Sequence, residues 1–157
     1  MPHAKPTERQ IREGEPVVID IGASVEGYSS DLSRTICLGA PDDTFKNIYD
    51  IVLGAQLTSI AIIKEGMTGD QVDSLAKTVI KEAGYGENFG HASGHGVGLA
   101  THESPRLGPG SDELITSGMV FAIEPGIYLP GWGGVRIEDL LVMESGKTRL
   151  ISKAKKV

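Results

Sequence analysis

Apolar and polar positions in this chain follow two periods. Residues 17–23, VVIDIGA, are a short β-branched run that stops at glycine, which predicts a buried strand. After a turn at Gly27, the run SSDLSRTICLG sets Leu32, Arg34, Ile36 and Leu38 against Asp31, Ser33, Thr35 and Cys37, the period of two of a strand. The two strands are expected to form a hairpin with Asp20 across from Asp31. Over residues 42–65 the period changes. Phe45, Ile48, Ile51, Val52, Ala55, Ser59 and Ile62 recur at three and four, and Gly66 stops the run, which predicts an amphipathic helix. A second helix opens at Thr68 with Gln71 completing a capping box, shows Val72, Leu75, Ala76 and Val79 on one face, and ends before Gly84. Both helices read as scaffold, their polar residues forming only a solvated face. Residues 119–123, MVFAI, predict another buried strand, running into Glu124-Pro125-Gly126. A loop with Pro130, Gly131, Gly133 and Gly134 leads to GVRIEDLLVME, where Val135 and Ile137 oppose Arg136 and Glu138. Prolines 2, 6 and 16 exclude a regular helix over most of residues 1–16, and Pro105, Pro109 and Gly110 mark a loop. The run KAKK, residues 153–156, reads as solvated charge.

The polar residues that interrupt this pattern carry the chemistry. In FGHASGHGVGLATH, residues 89–102, His91, His95 and His102 stand four and seven apart among glycines 94, 96 and 98. One histidine alone is more often structural; three among glycines shift that balance. A strand here would put His91 and His95 on one face, and glycine permits close backbone approach. Asp20 breaks a buried strand, which is costly unless it is paired, metal-bound or capping a neighbouring loop. Like charges facing each other across a hairpin destabilise it, so a cation between Asp20 and Asp31 is the economical explanation. The second hairpin repeats the plan: apolar strand, acid, glycine-rich turn, strand with an acid. The acids are 11 apart in the first and 14 in the second, which reads as a weak internal duplication supplying two ligands from each half. Arg136 shares a face with Glu138 and is placed to orient or neutralise it. Four carboxylates and one imidazole, with no thiolate, suit a dinuclear site for fairly hard divalent ions. Two such ions cancel four negative charges and lower the pKa of a water between them. Mn²⁺ fits best, ahead of Co²⁺, Fe²⁺ or Zn²⁺, and the donors argue against a structural zinc. His3, taken alone, reads as an exposed terminal residue.

Composition narrows the classes. A chain of 157 residues with 39% apolar content is expected to form one globular domain, residues 1–157. A net charge of −6 argues against a nucleic-acid partner. Cys37 is the only cysteine and cannot pair internally, so a reducing cytoplasm is the expected compartment. The opening residues lack a signal-peptide core, and residues 51–63 are too short and too polar to span a bilayer, so no membrane partner is expected.

The segments IDIGA, SSDLSRT, GHGVGL, IEPGIY and VRIEDLL, in this order, resemble the catalytic domain of the creatinase/aminopeptidase peptidase family. That resemblance covers essentially the whole chain. It implies the α+β pita-bread fold, a curved, mostly antiparallel sheet covered by helices on its convex face. PHAKPTER and Arg136 are similar to the Xaa-Pro aminopeptidase and prolidase branch. Methionine aminopeptidases share the ligands but usually lack that arginine. Creatinase and the histone-chaperone relative lack the full metal set. Carried over, the resemblance makes Asp20, Asp31, His95, Glu124 and Glu138 the ligands of two divalent ions, Asp31 and Glu138 bridging. Glu124 is also the general base or proton shuttle. His102 contacts the scissile peptide, His91 lines the proline pocket, His3 matches a substrate-site histidine, and Arg136 supports the ligands. The implied activity is hydrolysis of Xaa-Pro bonds near a free N-terminus, on peptides with proline second. The remaining alternatives are a methionine aminopeptidase and a fragment that binds metal or peptide with weak or no turnover. Family members carry helices ahead of the first of these segments that this chain lacks. It therefore reads as a C-terminal fragment of the catalytic domain, its first hairpin left partly bare unless a second copy or a separate N-terminal piece covers it.

Overall fold

The structure, a computed structural model, describes residues 5–156. Two bent hairpins of the same design frame it. In the first, β1 (Pro16–Ile21) pairs antiparallel with β4 (Leu32–Cys37), and the chain between them folds into a smaller hairpin of β2 (Ser24–Val25) and β3 (Tyr28–Ser29). Glu26 and Gly27, at φ 52° and 86°, make its turn, the two positive angles that a tight two-residue hairpin needs. In the second, β7 (Val120–Ile123) pairs with β10 (Asp139–Glu144) around an inner hairpin of β8 (Gly126–Leu129) and β9 (Gly133–Arg136). The expected continuous strand from 134 onward is broken at Ile137 and Glu138. The amide of Ile137 turns to the Pro125 carbonyl, and that of Glu138 crosses to the Ser33 carbonyl of the other half.

One register differs from expectation. Asp20 faces Ser33, and Ile21 faces Leu32. Asp31 lies one step beyond the ladder, because β1 stops at Ile21 and the chain closes there through Ala23 and Ser30.

Between the hairpins run α1 (Asp43–Ile62), capped by the Asp42 carboxylate on the Phe45 amide, and α2 (Gly69–Glu82), with the expected Thr68–Gln71 capping box. Their apolar faces bury two clusters. Phe45, Ile48, Val52, Ala76 and Ile80 pack on Ile127, Val135 and Ile137; Ile63 and Val72 pack on Phe121, Ile123, Leu141 and Met143. The main sheet has the order β11-β10-β7-β5-β6, with β5 (Gly94–Gly96), β6 (Glu103–Leu107) and β11 (Lys147–Leu150). The loop expected around Pro105 is in part this strand β6. It is an edge strand, where a missing proline N–H breaks no ladder bond.

The tail is solvated charge only in part: Lys153 and Lys155 are exposed, but the backbone and Lys156 are engaged. Ile151 N–H donates to Leu140 O, Arg34 takes the carbonyls of Ala154 and Lys155, and Lys156 pairs with buried Asp139. On the outer face of β1 and β4, Ile19, Ile21 and Ile36, with Leu38 just past β4, stay 40, 57, 38 and 44% exposed. Among the described residues, no helix is long and apolar enough to cross a membrane.

Candidate metal centre

The bends bring the acids together. Asp20 lies one residue before the end of β1, Asp31 precedes β4, His95 lies in β5, Glu124 follows β7 and Glu138 precedes β10. At each bend a strand gives up its ladder, and the freed amide finds another acceptor: Glu124 N–H meets Ser93 O at 2.8 Å, and Glu138 N–H meets Ser33 O at 3.0 Å. All five side chains line one cleft of about 480 Å³, together with His102 and Thr101. His95 Nε2 is 3.8 Å from Asp31 Oδ2 and 3.6 Å from Glu124 Oε1. One ligand atom each from Asp31, His95 and Glu138 falls within 4.8 Å of the others. The His102 ring stacks on His95, centroids 3.9 Å apart. His91 is not on a shared strand face with His95, since β5 spans only three residues. It lies in the preceding bend and lines an adjoining cleft of about 420 Å³ with His102, Arg106 and Glu124. His3 lies outside the described residues.

Burial sets the electrostatics. Removal from water pushes Glu124 up to about 7 and Glu138 up to about 8, and the neighbouring carboxylates push the same way. Asp31 is raised too, first by burial and then by Asp20. Burial lowers His95, which favours the neutral imidazole that ligates metals.

A hydrogen-bonded chain backs the acids. Arg136 was expected to lie beside Glu138. Its Nη2 instead meets Asp20 Oδ2 at 2.6 Å, while Nε donates to Ser33 Oγ at 3.0 Å, and Ser33 Oγ donates to Glu138 Oε2 at 2.7 Å. The arginine thus reaches Glu138 through Ser33. Arg136 Nη1 also donates to Tyr128 Oη at 3.1 Å, which lies 3.0 Å from His91 Nε2. The Ala92 carbonyl only accepts, so His91 carries a proton on Nδ1.

The sequence reading missed Ser33 and Tyr128. Ser33 was legible as the residue sharing Asp31's side of a period-two strand. Tyr128 lies in a strand too short to show a period. The helices also reach the site, contrary to expectation. Asp73 of α2 accepts from the amide and hydroxyl of Ser93, each at 2.9 Å, and Ser93 holds the Glu124 amide.

These residues fit a divalent metal. Arg136 offsets charge at Asp20, but burial and then the neighbouring carboxylates raise Asp31 and push Glu124 up to about 7 and Glu138 up to about 8.

The model of metallopeptidase family M24 matches residues 1–145. The Xaa-Pro dipeptidase of Pyrococcus furiosus is 48% identical over 151 residues, 96% of this chain and 43% of that protein. The crystal structure of a dipeptidase from Pyrococcus horikoshii OT3 superposes with a TM-score of 0.97 at 48% identity, covering 99% of this chain and 44% of that one. An Xaa-Pro dipeptidase from Bacillus anthracis gives a TM-score of 0.97 at 48% identity, covering 100% and 44%. The chain spans less than half the length of these relatives. The expected α+β pita-bread architecture is borne out by these superpositions.

Proposed function

Because the chain belongs to metallopeptidase family M24, we propose that it forms the catalytic unit, residues 1–157, of a hydrolase of Xaa-Pro peptides. The observation that carries this reading is the convergence of Asp31, His95 and Glu138 within 4.8 Å, beside Glu124 and Asp20 in one cleft. These five residues would hold two divalent ions, with Mn²⁺ the best match to the donors. When bound, the ions supply a polarised scissile carbonyl and a water acidic enough to attack at neutral pH.

The chain's own residues do the rest. Glu124, in the wall of the same cleft, accepts a proton at its carboxylate and returns it to the leaving nitrogen. His102, exposed at the rim and stacked on His95, donates to the oxygen that gains charge at the scissile carbonyl. His91, fixed by Ala92 and Tyr128, presents one ring face to the proline. Ser33 and Arg136 hold Glu138 and Asp20 in place. An Xaa-Pro bond has no N–H, so selection for proline comes from the shape of the cleft beside His91. The names of the relatives support dipeptides as substrates.

A second reading, a piece with weak turnover, draws on the bare face of β1 and β4. Full activity then requires a second copy or a separate segment over that face. Hydrolysis of Xaa-Pro and Met-Ala peptides with and without added Mn²⁺ tests the whole reading. Mn²⁺-dependent cleavage of Xaa-Pro alone is expected. Cleavage of Met-Ala alone would make the chain a methionine aminopeptidase, and binding of Mn²⁺ without cleavage would leave it a non-catalytic module.

A further inference from the structure

Arg34, three residues past Asp31, has no part in the mechanism above. Its side chain is only 9% exposed. Nη1 donates to the carbonyls of Ser33 at 2.9 Å and Glu138 at 2.6 Å. Nη2 donates to Asp139 Oδ1 at 2.6 Å and to Ala154 O at 2.8 Å, and Nε donates to Lys155 O at 3.1 Å. A guanidinium has five N–H donors in a fixed fork, and every one is taken. Asp139, fully buried, is gripped on its other oxygen by Lys156 Nζ at 2.8 Å and Gln56 Nε2 at 2.9 Å.

The two carbonyls held by Nη1 belong to the residues that join the halves of the site. The Ser33 hydroxyl bonds the Glu138 carboxylate, and the Ser33 carbonyl accepts the Glu138 amide. Ser33 comes from the hairpin that bears Asp20 and Asp31, and Glu138 from the one that bears Glu124. The guanidinium therefore spans the seam where the two pairs of carboxylates meet. On its far side it is braced by the carbonyls of the C-terminal tail.

We propose that Arg34 is a positioning residue that fixes the backbone at Ser33 and Glu138, and that residues 153–156, which brace it from the far side, thereby support the metal site. This rests on the metal-site reading above. Charge alone cannot do the task. A lysine at position 34 keeps a cation beside Asp139 but cannot reach acceptors on both hairpins and on the tail at once. Outer partners of metal ligands typically change affinity about 10–100-fold when removed, and that is the size of effect expected here.

The test is calorimetric titration of the metal-free 157-residue chain with Mn²⁺, on wild type, Arg34→Lys and a variant lacking residues 153–157. It is run at a temperature where circular dichroism shows each protein folded. Arg149→Ala, which breaks an exposed pair with Glu144, is the control. Arg34→Lys and the tail deletion are each expected to weaken Mn²⁺ binding at least about tenfold, with the control unchanged. A purely structural role would lower the melting temperature and leave the affinity of the folded protein intact, which would overturn the proposal. Should Arg34→Lys fail to fold, Arg34→Gln replaces it, because the tail deletion leaves Arg34 its bonds to Ser33, Glu138 and Asp139 and tests the bracing by the tail alone. Wild type that binds Mn²⁺ no better than the variants overturns the positioning role only. Wild type that binds no Mn²⁺ overturns the metal-site reading, and this role with it.

Discussion

Glu138→Gln should stabilise the metal-free chain at pH 8 while weakening its metal site. Glu138 sits in the seam with its folded pKa raised from 4.5 to about 8, chiefly by burial and then by Glu124 and Asp31. An acid whose folded pKa lies above its unfolded one favours the fold fully below about pH 4.5, and that contribution is lost as the pH climbs to about 8. At about 1.4 kcal/mol per unit, the loss is on the order of 5 kcal/mol. Glutamine removes the ionisation and still accepts from the Ser33 hydroxyl. The shift to about 8 already includes the bond from Ser33, so the gain expected at pH 8 is on the order of 5 kcal/mol, or roughly 15 °C in melting temperature for a chain of this size. At pH 5 the folded glutamate is already protonated, so the gain should nearly vanish. Urea denaturation in chelator at both pH values measures this. The wild type should also gain stability from Mn²⁺ at pH 8, by about 2.7 kcal/mol at a hundredfold excess over Kd, and the variant much less. No stabilisation of the variant at pH 8, or an equal one at pH 5, would refute the claim that charge crowding at Glu138 strains the empty site.

Three further outcomes follow from the same geometry. Glu124→Gln should abolish turnover while keeping the fold, read by peptide hydrolysis and circular dichroism, since it removes the proton-accepting oxygen and keeps the side-chain shape. His102→Ala should lower kcat by about 10²–10⁴, and an unchanged kcat would remove His102 from the chemistry. Light scattering should find the isolated chain self-associating through the exposed face of Ile19, Ile21 and Ile36. Leaving about 400 Å² of apolar surface bare forgoes on the order of 10 kcal/mol, and a monodisperse, fully active monomer would contradict that.

Much of the frame was legible in the sequence because its signals are local. The capping box at Thr68, the change of period at Asp42 and the β-branched run at Val17 each occupy a few adjacent residues, and the structure has an element at each. Lost were features set by partners far along the chain. Lys156 read as surface charge although it pairs with buried Asp139, and Arg34 stood on the apolar side of its strand with no partner assigned, because Asp139 lies 105 residues away from it. Gln56 and Asp73 read as the wet side of helices for the same reason, though one grips Asp139 and the other Ser93. β8 was hidden between Pro125 and Pro130, where four residues are too few to show alternation. The acids themselves stood out, since carboxylates beside apolar runs are costly and therefore conspicuous. Their backing was not, because Ser33 and Tyr128 are ordinary residues until the fold brings a carboxylate or an imidazole within reach.

The most direct test of the central claim is a count of bound metal. The metal-free chain is loaded with Mn²⁺, passed through a desalting column, and its metal content measured beside that of Asp31→Asn and Glu144→Gln. Two ions per wild-type chain are expected, with fewer in Asp31→Asn and no change in Glu144→Gln, whose carboxylate pairs with Arg149 at the surface. A wild-type chain that retains no Mn²⁺, or an Asp31→Asn chain that retains as much as wild type, would contradict the account.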